Sequence, residues 1–136
     1  MAKTPAPTHS ELEILRVLWT RGACTVREVF EDISASRRIG YTTTLKLMQI
    51  MLSKKLVRRD ERDRSHVYRA AQLQELTHRQ LLADLLDRAF GGSREKFLLS
   101  ALQATRTSPK ELDAIRQMIE TAQSQSLKQV HEGNSK

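Results

Sequence analysis

Near residue 56 the hydrophobic pattern of this 136-residue chain changes from a helical repeat to an alternating one. Before that point, three segments carry apolar residues at spacings of three and four, which is typical of amphipathic helices. After it, residues 56–60 and 66–70 alternate around the charged turn ERDRS and are typical of a β-hairpin. Three helices followed by a hairpin are the element order of a winged helix-turn-helix, and Ala23-Cys24 is placed to add a third strand.

Capping signals mark the starts of the first two helices. Thr8 and Glu11 have the spacing of a capping box, and Thr25 and Glu28 repeat it. The third helix follows a polar turn and is predicted to cover residues 41–55. The chain therefore begins with three separate helices before the hairpin.

The chain after residue 72 is predicted to be helical and carries broad apolar faces. One face runs from Leu73 to Phe90, and a later helix begins with the N-cap sequence Ser108-Pro109-Lys110-Glu111. Short amphipathic helices bury such faces poorly alone, so the pattern favours a symmetric dimer. Packing against the N-terminal domain is the alternative. The residues predicted at the dimer interface are Leu81, Leu82, Leu85, Leu86, Leu112, Ile115 and Ile119.

These patterns together predict a mainly α protein with a small β-hairpin wing. A winged helix-turn-helix DNA-binding domain is predicted over residues 8–71, and a helical dimerisation region over residues 72–124. Residues 1–7, which include two prolines, and residues 125–136 are predicted to be disordered tails.

The positive charge is concentrated in the first half of the chain. The formal net charge is +7, and the sequence pI is about 10.0. Residues 1–71 hold 14 Lys or Arg against 8 Asp or Glu, whereas residues 72–136 hold 9 against 8. A positive field beside a nearly neutral half indicates a polyanion-binding module joined to another region. A solvated basic surface is the alternative.

The third helix has two different faces when it is projected at 100° per residue. Leu45, Met48 and Leu52 share the arc that is predicted to face the core. The opposite arc suits a major groove, because lysine can donate to guanine and aliphatic groups can contact thymine methyls. The residues of that arc that are predicted to face bases are Thr43, Lys46, Leu47 and Ile50.

Phosphate contacts are predicted around the same helix. Free backbone N–H groups at a helix N-terminus and cationic side chains in a hairpin turn both bind phosphate. The predicted phosphate-binding and wing residues are Thr25, Tyr41, Thr42, Lys54, Arg62 and Arg64. Tyr68 is predicted to be a packed aromatic. Cys24 is predicted to be a small buried hydrophobe, with a redox sensor as the alternative.

Catalytic and metal-binding functions have little support in the sequence. The four histidines are scattered without partners at ligand or triad spacing, and no glycine-rich phosphate loop occurs. A single cysteine excludes an intramolecular disulfide. We therefore expect no enzymatic site, no metal and no cofactor.

Two other binding functions are alternatives. A winged-helix adaptor for proteins would be expected to have an acidic or apolar recognition face, whereas this one lies in a basic field. RNA reading is less favoured because only 4% of the residues are aromatic. No apolar run reaches the roughly 18 residues of a membrane span, and the first residues lack a secretory signal. A cytoplasmic protein is therefore expected.

Several stretches, in their order and spacing, resemble the penicillinase-repressor family, the BlaI and MecI repressors. The similar stretches are THSELEILRVLW, TVREVFEDI, YTTTLKLMQIMLSKKLV, HVYRA, FGGS and SPKELDAIRQMI, between about Thr8 and Ala122. The resemblance implies a homodimeric winged-helix repressor that dimerises through its C-terminal helices and binds palindromic operators of antibiotic-resistance and signalling genes. It also implies regulation by a membrane sensor-protease that triggers cleavage near the dimerisation helices.

The resemblance can be followed position by position. It adds Thr44 to the base-facing residues and supports Lys46, while Thr43 stands where the family often has a basic residue. The pair aligned with the Asn-Phe cleavage site of the resistance repressors is Ser100-Ala101. The copper-responsive branch has a C-terminal Cys-x-Cys cluster, and because Cys24 is the only cysteine, copper sensing by that route is excluded.

Overall fold

The structure is a computed structural model that describes residues 5–62 and 64–134. The described residues form six helices and three short strands. In chain order these are α1 (His9–Arg21), β1 (Cys24–Thr25), α2 (Val26–Ser34), α3 (Tyr41–Ser53), β2 (Val57–Asp60), β3 (Val67–Ala70), α4 (Gln74–Phe90), α5 (Arg94–Ala104) and α6 (Pro109–Asn134).

The three strands form one antiparallel sheet with β3 in the middle, in the order β1-β3-β2. Tyr68 of β3 lies opposite Cys24 on one side and Arg59 on the other. Three helices and this sheet make a winged helix-turn-helix, so the predicted fold class and the third strand are confirmed.

The core of this domain is formed by the inner sides of α1, α2 and α3 together with the sheet. Ile14, Val29, Met48 and Met51 have no exposed surface. Tyr68 is buried, as predicted for a packed hairpin aromatic. The fully buried side chains of the core come from all three helices and from the sheet, so the core fixes the orientation of α3 within the domain.

Cys24 is also buried in this core, as predicted. Its burial raises the pKa of the thiol, which keeps it protonated and therefore unreactive at neutral pH. The structure thus favours the small buried hydrophobe over the redox sensor.

Both predicted capping boxes are present. The backbone N–H of Glu11 donates to Thr8 Oγ1 at 3.2 Å, and the N–H of Thr8 donates to Glu11 Oε1 at 2.8 Å. Thr25 and Glu28 make the same reciprocal pair at 3.2 and 3.0 Å. These bonds satisfy N–H groups that the first turn of a helix leaves without partners.

The turn between α3 and β2 is unusually tight. Lys55 has a φ of +65°, in the left-handed region that normally favours glycine. The N–H of Leu56 donates to the carbonyl of Met51 at 2.9 Å, and the N–H of Lys55 donates to that of Leu52 at 3.1 Å. This pair of bonds is a Schellman turn, and it leads directly from the end of α3 into the first wing strand.

The chain divides into two compact units, up to Leu85 and from Leu86 onward. The predicted boundary was between residues 71 and 72, so the first half of α4 lies in the N-terminal unit instead. The reason is a set of contacts that α1 makes with Gln72, just before α4, and with the first half of α4. Trp19 Nε1 donates to the carbonyl of Gln72 at 3.1 Å, and the Trp19 ring meets His78 edge-on at 5.9 Å.

The second unit contains the end of α4, α5 and α6. Phe90 and Phe97 pack edge-on at 5.4 Å, across the turn at Gly91-Gly92. Ser108 accepts a hydrogen bond from the N–H of Glu111 at 3.1 Å, which confirms the predicted start of α6. No helix among the described residues is long and apolar enough to span a membrane.

The prediction of a disordered C-terminal tail is wrong for residues 125–134, which continue α6. Half of this segment consists of good helix formers, such as Gln125, Leu127 and Lys128, and it contains no proline. Within the predicted N-terminal tail, residues 5–7 lie in no helix or strand. The remaining parts of the predicted tails, residues 1–4 and 135–136, lie outside the described residues.

Candidate nucleic-acid interface

One continuous face of α3 is exposed. Thr43, Lys46 and Ile50, all predicted to face bases, lie on it, and Ile50 is 39% exposed. Thr42 lies on the same face. The side chains on this face include hydroxyl, ammonium and aliphatic groups, which can donate to and contact the edges of base pairs.

Gln49 also lies on this face and was missed by the sequence reasoning. A glutamine amide can pair with adenine through two hydrogen bonds, so it is a strong candidate for base recognition. The signal for it was its position, three residues after Lys46, which places the two side chains on neighbouring turns of one helix face.

The prediction that Thr44 faces bases is wrong. Thr44 has no exposed surface, and its hydroxyl donates to the carbonyl of Gly40 at 3.1 Å. A threonine can be buried in a helix in this way because the carbonyl one turn earlier satisfies its hydroxyl. Met48 is fully buried and Leu45 and Leu52 pack against the core, as the projection predicted, but the centre of the buried side of α3 lies at Thr44, Met48 and Met51.

This rotation also changes the place of Leu47. Leu47 is half-buried and packs against the core cluster at the edge of the exposed face. Part of its side chain therefore packs against the core, and only the rest is presented outward.

The N-terminus of α3 differs from those of the other helices of the domain. Its N-cap residue is Gly40, and no side chain caps it, whereas Thr8 and Thr25 cap α1 and α2. Tyr41 and Thr42, predicted to contact phosphate, are exposed in this first turn. The backbone N–H groups here can therefore donate to an anion.

The wing presents two arginines at its tip. Arg62 has a side chain that is 92% exposed, with its Nε 3.8 Å from Asp60, and Arg64 is also exposed. Asp63, between them, lies outside the described residues. Lower in the wing, Arg59 pairs with Glu61, and hydrogen bonds with Tyr68 and Glu61 raise the pKa of its guanidinium. The two tip arginines thus extend positive charge from the wing into solvent.

The structure does not support Lys54 as a phosphate contact. Its ammonium points inward and binds both carboxylate oxygens of Glu11, at 2.9 and 3.1 Å. Glu11 is only 1% exposed, and a buried carboxylate requires a partner. Burial alone would raise the pKa of Glu11, but hydrogen bonds from Thr8 and the charge of Lys54 outweigh it and hold the pKa below its ordinary value.

Some cations of this unit are paired with carboxylates and others are not. Arg21 binds Glu28 and Asp32 at 3.0 and 2.9 Å, and Arg37 binds Glu13 at 2.9 Å. Within the described residues, no acidic partner is found for the cations around α3, which are Arg27, Lys46 and Arg64. Arg27, Lys46 and Arg64 therefore place positive charge around α3 that no described carboxylate neutralises.

A groove lies where α2, α3 and the wing meet. It has a volume of about 420 Å³, and its walls include Thr25, Arg27, Tyr41, Arg64 and His66. Thr25 was predicted to contact phosphate. Its hydroxyl oxygen accepts from the N–H of Glu28, which leaves the hydroxyl proton free to donate. Among the described residues, no cluster of His, Cys, Asp or Glu is arranged to hold a metal ion.

Comparison with known sequences gives one family. Residues 7–121 match the family described as "Penicillinase repressor". The chain is 32% identical over 121 residues to "Transcriptional regulator BlaI" of Mycobacterium tuberculosis, a match that covers 88% of this chain and 86% of the relative. It is 22% identical to "Penicillinase repressor" of Bacillus licheniformis, covering 88% and 94% of the two chains.

A search of solved structures finds a similar chain in a solution structure of the Bacillus licheniformis BlaI monomer in complex with the blaP half-operator. The sequence identity is 21% and the TM-score is 0.48. The likeness covers 55% of this chain and 92% of that one.

Proposed function

This chain belongs to the penicillinase repressor family, a family of transcriptional repressors and not of enzymes, and we propose that it is a cytoplasmic homodimer that binds a palindromic operator. The observation that carries the proposal is the exposed face of α3, flanked by cations that have no acidic partner among the described residues. Thr43, Lys46, Gln49 and Ile50 read bases, while Arg62 and Arg64 at the wing tip bind phosphates.

The test begins with a selection of duplexes from a random-sequence library by the full-length chain. We expect a palindromic sequence to emerge, and binding to it to weaken steeply as salt is added, because phosphate contacts release counterions. Equal binding to every duplex would contradict the proposal, and so would affinity that is indifferent to salt.

Two adjacent threonines provide a matched test of the reading face, which is the exposed face of α3 that carries Thr43, Lys46, Gln49 and Ile50. Thr43→Val should reduce the preference for the selected sequence over a scrambled one, and should leave stability unchanged. Thr44→Val should leave the preference unchanged, because that hydroxyl is buried against Gly40. Lys46→Ala should resemble Thr43→Val, while Arg62→Ala should weaken binding to all sequences equally. If Thr44→Val alone lost sequence preference, the assignment of the base-contacting face of α3 would be wrong.

The homodimer is supported by the apolar surface of the helices after residue 80. Leu82 and Leu85 are 46% and 47% exposed, and Leu112 and Ile119 are 43% and 50% exposed. The other predicted interface residues, Leu81, Leu86 and Ile115, are half-buried within a single chain. Burial of one such side chain contributes roughly 1.5–3 kcal/mol, so several of them across a symmetric contact stabilise a dimer.

The dimer contact can be tested on α6. Ile119→Asp should lower the association constant of the dimer, measured by sedimentation equilibrium, because it places a charge among the apolar side chains. Gln117→Asp adds the same charge at an exposed polar position of the same helix and is the control. Equal effects of the two substitutions would contradict this interface.

We further propose that the regulated genes serve beta-lactam resistance or a stress response, under the control of a membrane sensor-protease. Family membership supports this assignment. Sequencing of the genomic fragments that the chain retains would identify the genes. Fragments that map to neither kind of gene would overturn the assignment and leave operator binding intact.

Cleavage at Ser100-Ala101 is not part of the proposal. Both residues are exposed but lie within the regular backbone of α5. A protease could reach that bond only after local opening of the helix.

A further inference from the structure

Arg27, the second residue of α2, is exposed and has no assigned role. We propose that Arg27 binds a phosphate of the DNA backbone, and that Tyr41 is the positioning residue that holds its guanidinium in place. This inference rests on the proposed operator binding. It adds a contact from α2, which belongs neither to the reading face of α3 nor to the wing.

The geometry around Tyr41 restricts where Arg27 can lie. The guanidinium carbon of Arg27 is 5.2 Å from the centre of the Tyr41 ring, within the range of a cation–π contact. That ring is itself fixed, because it meets Phe30 edge-on at 5.8 Å. Tyr41 thus acts as a platform between α2 and α3, and the arginine loses less conformational freedom when it binds an anion.

Among the described residues, no carboxylate forms an ion pair with Arg27. The adjacent Glu28 is turned away, since its carboxylate accepts from the N–H of Thr25 at 3.0 Å and binds Arg21 at 3.0 Å. A cation in the first turn of a helix is also opposed by the helix dipole, which favours negative charge there. An anion bound to Arg27 removes this unfavourable arrangement.

The groove beside Arg27 supplies the place for that anion. Arg27 and Tyr41 line one part of it, and Arg64 and His66 of the wing line another. A guanidinium can donate two parallel hydrogen bonds to a phosphate, which makes arginine well suited to the sugar-phosphate backbone. The groove lies beside the N-terminus of α3, where the reading face also begins. DNA is therefore the polyanion that this arrangement fits.

The experiment compares Arg27→Ala with Arg16→Ala in the full-length chain. Arg16 is an exposed arginine in a different groove, between α1 and the second half of α2, and serves as the matched control. Binding is measured by fluorescence anisotropy at several salt concentrations, on the selected duplex and on a scrambled duplex. Arg27→Ala should weaken binding to both duplexes about tenfold, the usual cost of one charged hydrogen-bond contact. It should also reduce the salt slope by about 0.9.

Tyr41→Phe and Tyr41→Leu test the platform. Tyr41→Phe keeps the ring, so Arg27→Ala should still weaken binding about tenfold in that background, whereas in the Tyr41→Leu background it should weaken binding much less. In the double variant Arg27→Ala/Tyr41→Leu, the two losses of affinity should not add, because the Tyr41 ring affects binding only through Arg27. Thermal unfolding of each variant separates loss of binding from loss of folding.

The results also separate this inference from the proposed function. If the unmodified chain selects a sequence but Arg27→Ala binds as well as Arg16→Ala, the phosphate contact is wrong and operator binding stands. If Arg27→Ala costs as much affinity in the Tyr41→Leu background as in the unmodified chain, the platform role is wrong and the phosphate contact stands. If the chain selects no sequence at all, the proposed function fails first.

Discussion

The N-terminal unit buries its apolar side chains, whereas the helices after it expose theirs. The domain formed by α1–α3 and the sheet has a closed core that includes Ile14, Val29 and Met51. Among the side chains described in α5 and α6, none is buried, and Leu99 and Met118 are 56% and 67% exposed. The comparison teaches that amphipathic pattern alone does not make a self-contained unit. A helical face becomes a core only where other elements close over it.

The largest effect is expected when the second unit is removed. A chain that ends after residue 85 should fold and remain monomeric. It should bind the selected palindrome about 10²–10⁴-fold more weakly than the full chain, because the two halves of a dimer raise each other's effective concentration. Sedimentation and anisotropy measure the two properties.

A second truncation sharpens this comparison. Ending the chain after residue 71 also removes Gln72 and His78, which contact Trp19. This fragment should unfold at a lower temperature than the 1–85 fragment. Equal melting temperatures would contradict the assignment of the first half of α4 to the N-terminal unit.

The next effect concerns the inward-facing cation. Lys54→Met leaves the buried carboxylate of Glu11 without its ammonium partner and should lower the free energy of unfolding by about 2 kcal/mol. Lys46→Ala, on the exposed face of the same helix, should change it by less than about 0.5 kcal/mol. Chemical denaturation of both variants gives the comparison. Similar losses would mean that the Glu11 contact does not stabilise the domain.

A smaller effect is expected at acid pH. Because the folded-state pKa of Glu11 lies below its ordinary value near 4.5, its stabilisation is present above that pH and is lost as the pH falls through the folded-state pKa. Glu11→Gln should therefore flatten the decline of stability as the pH falls below about 4.5. Denaturation curves at each pH, beside those of the unmodified chain, test the sign. An unchanged decline would exclude Glu11 as its source.

The smallest effect is a gain in stability. Lys55→Gly should raise the free energy of unfolding by about 0.5–1 kcal/mol, because glycine adopts a φ of +65° without the steric cost that lysine bears. Chemical denaturation measures the gain. Lys110→Gly, near the start of α6, is the contrasting control and should not stabilise the chain, since a helix disfavours glycine.

Much of the N-terminal fold was predictable because its signals are local. Each capping box is a pattern of four consecutive residues, so those that begin at Thr8 and Thr25 predict the starts of α1 and α2. The alternation of apolar and polar residues predicts the hairpin. The orientation of α3 was not predictable in the same way. From the sequence, Thr44 is expected to be exposed because it is polar. Its burial is favourable because its hydroxyl donates to the carbonyl of Gly40.

Contacts between distant residues account for the other errors. Lys54 looked like one more basic residue near the wing, but its partner Glu11 is 43 residues earlier in the chain. Arg27 was overlooked because its neighbour Tyr41 belongs to another helix. Such pairings depend on how the helices pack, which no local pattern specifies.

The two faces of α3 alternate along a single short helix, and this has a consequence for how the protein diverges. Thr44, Met48 and Met51 hold the domain together, while Thr43, Lys46 and Gln49 make no contribution to its core. Under the proposed function, gene duplication followed by substitution at the second set can therefore create a repressor for a new promoter in a few mutational steps. Each intermediate would still fold, so natural selection could test new regulatory connections without first losing the protein.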